Sequence, residues 1–107
     1  MTYVLSHEAG IDLEEIEDYT ATTWGDAQAE IYLRDIFTAF ARLDETPDLG
    51  RSLSDVPPPY LVYAVGSHLI VYRHNSKRGR VEILNVLHPA MNIEKRMMEA
   101  LKRMPKA

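Results

Sequence analysis

One constellation of side chains suggests general acid–base chemistry, and it lies late in the chain: Arg73 with His88 and Tyr72. An imidazole that moves protons beside a guanidinium that steadies phosphate charge is the equipment of RNA cleavage. Arg73 and His88 are therefore the candidate catalytic pair. Spacing weighs against them. Tyr72 and Arg73 are neighbours in what reads as a strand, so they point to opposite faces and only one can share a face with His88. His68 and His88 could meet if their strands pair, giving half a metal site. With no further ligand, two hydrogen-bonded structural histidines are the better reading. The chain has no glycine-rich phosphate loop, no metal-spaced His/Asp cluster and no Gly-x-Ser-x-Gly elbow, so no cofactor or metal is expected.

These residues depend on three apparent strands that end at His88. Tyr60 to Arg73 is a β-branched and aromatic run broken by Gly66-Ser67, a two-residue hairpin signal in which glycine takes the positive φ of a type II′ turn. That turn pairs Val65 with His68, Tyr63 with Ile70 and Leu61 with Tyr72. Val62, Ala64, Leu69 and Val71 then form one face, which reads as the core. Leu61, Tyr63, Val65, His68, Ile70 and Tyr72 form the other, which reads as a surface awaiting a cover. Asn75 to Gly79 is a polar turn into the third strand, Val81 to His88.

Ahead of the strands, Tyr3-Val4-Leu5 reads as a brief strand, with Ser6 as a helix cap. Ala9, Leu13, Ile16, Tyr19, Thr20 and Thr23 recur at helical spacing, while Asp12, Glu14, Glu15, Glu17 and Asp18 form a solvated face. The helix ends near Trp24. Gly25 suits the corner and Asp26 the next cap, and so short a link makes the helices antiparallel neighbours. At such a corner Trp24 reads as a packing residue rather than a binding one. The second helix presents Ala29, Leu33, Ile36, Phe37, Phe40 and Leu43. Thr46 to Pro59 is a long connection in which Pro57-Pro58-Pro59 favours extended polyproline geometry, and Leu49, Leu53 and Val56 pin it to the body. After Pro89, Asn92 caps a last helix striped by Ile93, Met97, Leu101 and Met104, which reads as docking on its own sheet.

At 107 residues the chain makes one domain, residues 1–107, with an α+β order and enough length for a core without disulfides. No cysteine, no 18-residue apolar run and no basic-then-apolar leader fit a cytoplasmic protein with no membrane span. The net charge of −4 hides a division. Residues 1–50 hold twelve acids and two bases; residues 51–107 hold four acids and ten bases, crowded at Lys77–Arg80 and in the last thirteen residues. Such asymmetry marks a partner-binding pole.

The ordered set Tyr3-x-Leu-Ser6, Asp12-Leu13-x-x-Ile16, Tyr19, Trp24-Gly25-x-x-Gln28-Ala29, Tyr32, Pro47-x-x-Gly50-Arg51, Gly66-Ser67-His68-x-Ile70-x-Tyr72-Arg73 and Val86-Leu87-His88-x-x-Met91-Asn92 resembles the ParE toxins, a branch of the RelE/ParE toxin–antitoxin superfamily. The resemblance implies a short strand, a helical hairpin and an antiparallel sheet. It implies a non-enzymatic toxin that poisons DNA gyrase and is neutralised by a ParD-like antitoxin whose tail wraps it. On that reading Leu61, Tyr63, His68, Ile70 and Tyr72 contact the antitoxin. The basic helix (Lys95, Arg96, Lys102, Arg103), with Arg73 and His88 in support, contacts gyrase. No sequence-specific nucleic-acid binding by the toxin alone is implied. The alternatives are a RelE-like ribosome-dependent mRNA endonuclease using Arg73 and His88, for which the acidic balance supplies few phosphate contacts, and a non-toxic antitoxin-binding relative. One departure is Val56-Pro-Pro-Pro-Tyr60, where ParE sequences commonly carry arginine and glycine.

Overall fold

A computed structural model of the chain describes residues 3–54, 56–88 and 92–103. Strand β1 (Val4–Leu5) leads into helices α1 (His7–Trp24) and α2 (Asp26–Glu45); a 3-10 turn (Pro47–Leu49), strands β2 (Leu61–Val65), β3 (His68–Asn75) and β4 (Arg80–Leu87) and helix α3 (Ile93–Arg103) follow. Among the described residues the sheet runs in the order β1-β4-β3-β2. β1 lies parallel to β4, and the other two pairings are antiparallel.

Ser6 joins the first strand to the first helix. Its hydroxyl donates to the Leu84 carbonyl at 2.6 Å and accepts from the Ala9 amide at 3.0 Å, while its own amide donates to the Ile83 carbonyl at 2.9 Å. One residue thus satisfies an orphan amide of α1 and fastens that helix to β4. Gly25 takes φ 95° between α1 and α2 and is itself the cap of α2, so Asp26 falls in the first turn and caps nothing. The β2–β3 turn has the expected register, with Gly66 at φ 55° and, among the described residues, none other than glycine at positive φ, the signature of a type II′ turn.

The expected uncovered sheet face is in fact the main core. Ile70 and Tyr72 are fully buried with Ile36, Phe40 and Leu43 of α2 and Ala9, Leu13 and Ile16 of α1. The helical hairpin itself is the cover that this aromatic face requires. Leu61, Tyr63 and Val65 are partly buried at the margin of the same cluster. The opposite face (Val62, Val71, Leu84, Leu87) is covered by Met97 and Ala100 of α3 and by Val56 and Tyr60 of the loop. The result is three layers: hairpin, sheet, then α3 with the loop. Met104, expected in the α3 stripe, lies outside the described residues; Asn92 caps α3 by accepting from the Lys95 amide at 3.0 Å.

A bulge explains how β4 serves both layers. Register shifts between Val71 and Tyr72, which face Asn85 and Ile83, so Leu84 is the extra residue on β4. Val81 and Ile83 face the hairpin and Leu84 faces α3, yet beyond the bulge Val86 faces the hairpin and Leu87 faces α3.

The long connection is held differently from the expected pins. Val56 is buried and Leu53 packs beside it, but Leu49 is exposed. The stronger tie is Tyr72, whose hydroxyl donates to the Pro47 carbonyl at 2.6 Å and accepts from the Gly50 amide at 2.8 Å. A Cβ at Gly50 would run into the Tyr72 ring. Pro57 to Tyr60 forms a turn closed by the Tyr60 amide on the Pro57 carbonyl at 3.1 Å, with a cis Pro58–Pro59 bond, not an extended polyproline run.

Candidate interaction surfaces

Arg73 and His88 do not form a pair. Arg73 sits opposite Glu82 near the far end of the β3–β4 ladder, whereas His88 follows Leu87, which pairs with Leu69 at the other end. They also belong to different faces. Arg73 Nε donates to Glu82 Oε1 at 2.7 Å, and its guanidinium lies 6.0 Å from the Tyr60 ring centroid. Arg80 Nε and Asn75 Nδ2 donate to Glu82 Oε2 at 3.0 and 3.2 Å. Burial pushes the Glu82 carboxyl up, but the hydrogen bonds from Arg73, Arg80 and Asn75 outweigh it and leave the group below its ordinary 4.5. The Glu82 bond also holds Arg73 above its already high value. This is a closed structural network beside α3.

His68 and His88 do come together, with ring centroids 5.6 Å apart at 84°. His68 Nδ1 is 2.6 Å from the Tyr32 hydroxyl, which also accepts from the Ser67 amide at 3.2 Å. The geometry is satisfied when the Tyr32 proton points to a neutral His68 ring. Burial, and then the neighbouring His88, lower the His68 pKa from 6.5, which agrees with that state. Tyr32 also fills the space where a Cβ at Gly66 would sit, so glycine is required there for the close approach as well as the turn. Among the described residues no group of three or more His, Cys, Asp or Glu is placed to hold a metal.

The two histidines form one wall of a groove of about 470 Å³, opposite Asp12, Glu15, Tyr19 and Trp24 of α1. A second hollow of about 310 Å³ shares Tyr19, Thr20, Trp24, Ser67 and His68 and continues to Gln28 and Tyr32. Two expectations fail here. Trp24 is 70% exposed and Tyr19 69% exposed, so neither packs. The α1–α2 link is so tight that the Trp24 side chain falls outside the seam between the helices. Asp12, expected on the solvated face, turns towards β4 instead, where its Oδ2 accepts from the Val86 amide at 2.9 Å and Asn85 Nδ2 at 3.3 Å. Burial raises its pKa above 3.8 despite those bonds. The lone tryptophan and the Asp12 of the Asp12-Leu13-x-x-Ile16 motif were the signals available in sequence; helical periodicity alone set Asp12 on the solvated face.

The remaining expected contacts divide by exposure. Ile70 and Tyr72 are fully buried, so they offer no surface, while Leu61, Tyr63 and His68 are partly buried. His88, Lys95, Arg96, Lys102 and Arg103 are exposed. Arg103 Nε lies 3.4 Å from Glu8 Oε1 of α1, a link from α3 across to the first helix.

Residues 3–93 match the family model described as the ParE toxin of the type II toxin–antitoxin system parDE. Over 95 residues the chain is 37% identical to Toxin ParE1 of Mycobacterium tuberculosis, covering 89% of this chain and 96% of that protein. It is also 37% identical over 90 residues to Toxin ParE1 of Caulobacter vibrioides, covering 84% of this chain and 91% of that one. A solved structure titled as the chromosomal ParDE TA system of P. aeruginosa superposes with a TM-score of 0.70 at 19% identity, over 82% of this chain and 95% of that one, and so shares the fold. Matched by the family model over residues 3–93 and by the ParE1 relatives over most of its length, this chain belongs to the ParE toxin family.

Proposed function

We propose that this ParE toxin acts without catalysis of its own, by binding DNA gyrase in the cytoplasm, and that a ParD-like antitoxin neutralises it by covering the toxin surface. The carrying observation is the basic outer face of α3. Lys95, Arg96, Lys102 and Arg103 are all exposed there, while the apolar side of the same helix is spent on the sheet. A cationic helix seated on the sheet by its apolar side suits contact with a protein–DNA complex. Arg73 is engaged by Glu82 and becomes at most a scaffold for that face. The separation of Arg73 from His88 weighs against the endonuclease alternative. No described helix is long and apolar enough to cross a membrane, in keeping with a cytoplasmic site of action.

The test is a gyrase supercoiling and cleavage assay with purified toxin and no antitoxin. Supercoiling should fall with dose and cleaved DNA should accumulate. Truncating α3 would uncover Val62, Val71, Leu84 and Leu87 and confuse folding with function. The triple reversal Lys95→Glu, Arg96→Glu, Lys102→Glu avoids that, and it should cost at least tenfold in potency at unchanged Tm, about 1.4 kcal/mol. Full potency in that variant moves the contact off α3, and inactivity of the native toxin at excess rejects the gyrase reading.

A further inference from the structure

The groove along α1 has a chemistry of its own. Two aromatic faces, Tyr19 and Trp24, stand open beside two carboxylates, Asp12 and Glu15. Across from them stands His68, whose pKa is lowered by burial and by the neighbouring His88, with its Nδ1 2.6 Å from the Tyr32 hydroxyl. Among the described residues no lysine or arginine lines either hollow. The groove also lies on the acidic half of a chain whose first 50 residues hold twelve acids and two bases. Aromatic faces and carboxylates together favour a cation, because the ring quadrupole and the carboxylate charge attract it from different sides. The half-buried Asp12 carboxylate adds to this, since an arriving cation would offset the cost of its desolvation. The distance along α1 from Asp12 to Trp24 is about 18 Å at 1.5 Å per residue, the span of about five extended residues.

We propose that this groove is the seat for one basic side chain, arginine or lysine, carried on a short apolar segment of a partner protein. Tyr19 and Trp24 flank the cation, Glu15 pairs with it, and the His68–His88 wall lines the apolar residues beside it. The proposal rests on the antitoxin reading only for the partner's identity: the segment is assigned to the antitoxin.

Trp24 is the single tryptophan of the chain, so its fluorescence reports the groove directly. Purified full-length toxin is titrated with a capped Leu-Ala-Arg-Ala-Leu peptide and with its citrulline counterpart, which keeps the shape and removes the charge. The arginine peptide should give a saturable change in Trp24 emission, with the citrulline peptide about tenfold weaker and Glu15→Lys abolishing the response. Equal affinity for the two peptides, or no saturation up to about 10 mM, overturns the cation seat. In a second arm, the protein from the adjacent reading frame is titrated against native toxin, Trp24→Ala and Glu15→Lys. Weaker binding to both variants supports the seat; equal binding to all three places it elsewhere and leaves the antitoxin reading standing. Binding to none, with the peptide response intact, keeps the seat and removes the antitoxin as its occupant. Both substituted side chains are exposed, and matched circular dichroism spectra confirm folding.

Discussion

The sheet has two faces, and the helices that cover them are attached in different ways. The hairpin face is covered by helices of 18 and 20 residues and fastened by polar bonds that reach into the sheet: Ser6 to Leu84, Asp12 to Val86, and Tyr32 against the β2–β3 turn. The other face is covered by an 11-residue helix held by Met97 and Ala100, with Ile93 and Leu101 beside them. Its polar link to the rest is Arg103 to Glu8 at 3.4 Å, between side chains that are 64% and 18% exposed. At 3.4 Å, with the arginine largely in solvent, that pair adds little. Directional bonds fix a helix in register, whereas apolar contact alone permits local opening. The hairpin side is therefore the frame and α3 the element able to come away first.

The largest test of that contrast is a charge placed inside the frame. Ile70→Glu buries an unpaired carboxylate among α2 side chains and should cost about 4 kcal/mol or more, enough to prevent folding. A soluble variant with unchanged Tm would mean that the hairpin does not close this face. Met97→Ala is the matching change under α3, with an expected cost of about 2–4 kcal/mol. Hydrogen exchange should lose protection across Ile93–Arg103 while β3 and β4 keep theirs; uniform loss would make α3 part of the frame. Tyr72→Phe leaves the Gly50 amide and Pro47 carbonyl without their shared partner and should cost about 1–3 kcal/mol. Urea unfolding measures it, and an unaltered midpoint would show the loop to be held by other contacts.

The smallest effects separate the faces by pH. His68 has a lowered folded pKa, so its neutral form is the stable one, and stability begins to fall as pH drops through the ordinary 6.5. Glu82 also has a lowered folded pKa, so its contribution is complete above the ordinary 4.5 and disappears as pH falls through the lower folded value. The signs agree but the windows differ. His68→Gln should flatten the upper window alone in pH-dependent melts, and Glu82→Gln the lower one alone. If either variant flattens both, the two faces are coupled.

Much of this architecture was legible in the chain. Ser6, Gly25 and Gly66 mark their turns because each answers a local backbone need, and local needs are written in adjacent residues. The β2–β3 pairing followed from the turn for the same reason. What could not be read was which layer covers which face. Leu61 to Tyr72 looked like an open surface because the hairpin that buries it ends at Glu45, on the far side of the long loop. Apolar periodicity says that a face is buried without saying against what. Trp24 and Asp12 were misplaced in opposite directions, since a corner residue reads as packed and an acid among acids reads as solvated. Both errors come from long-range geometry, as does the separation of Arg73 from His88.

The Leu84 bulge bears on which length changes the gene can tolerate. Loss of Leu84 would straighten the strand and restore simple alternation with Ile83 still opposite Tyr72 and Val86 opposite Ile70, so His88 would keep its face and Asn85 would turn to the α3 side. The Asn85 bond to Asp12 would be lost and an amide would stand where Leu84 now packs beneath α3, so a groove carboxylate would lose a partner although no groove residue had been altered. Insertions and deletions should therefore accumulate in the polar turn at Ser76–Arg78 and be purged from the strand that follows it.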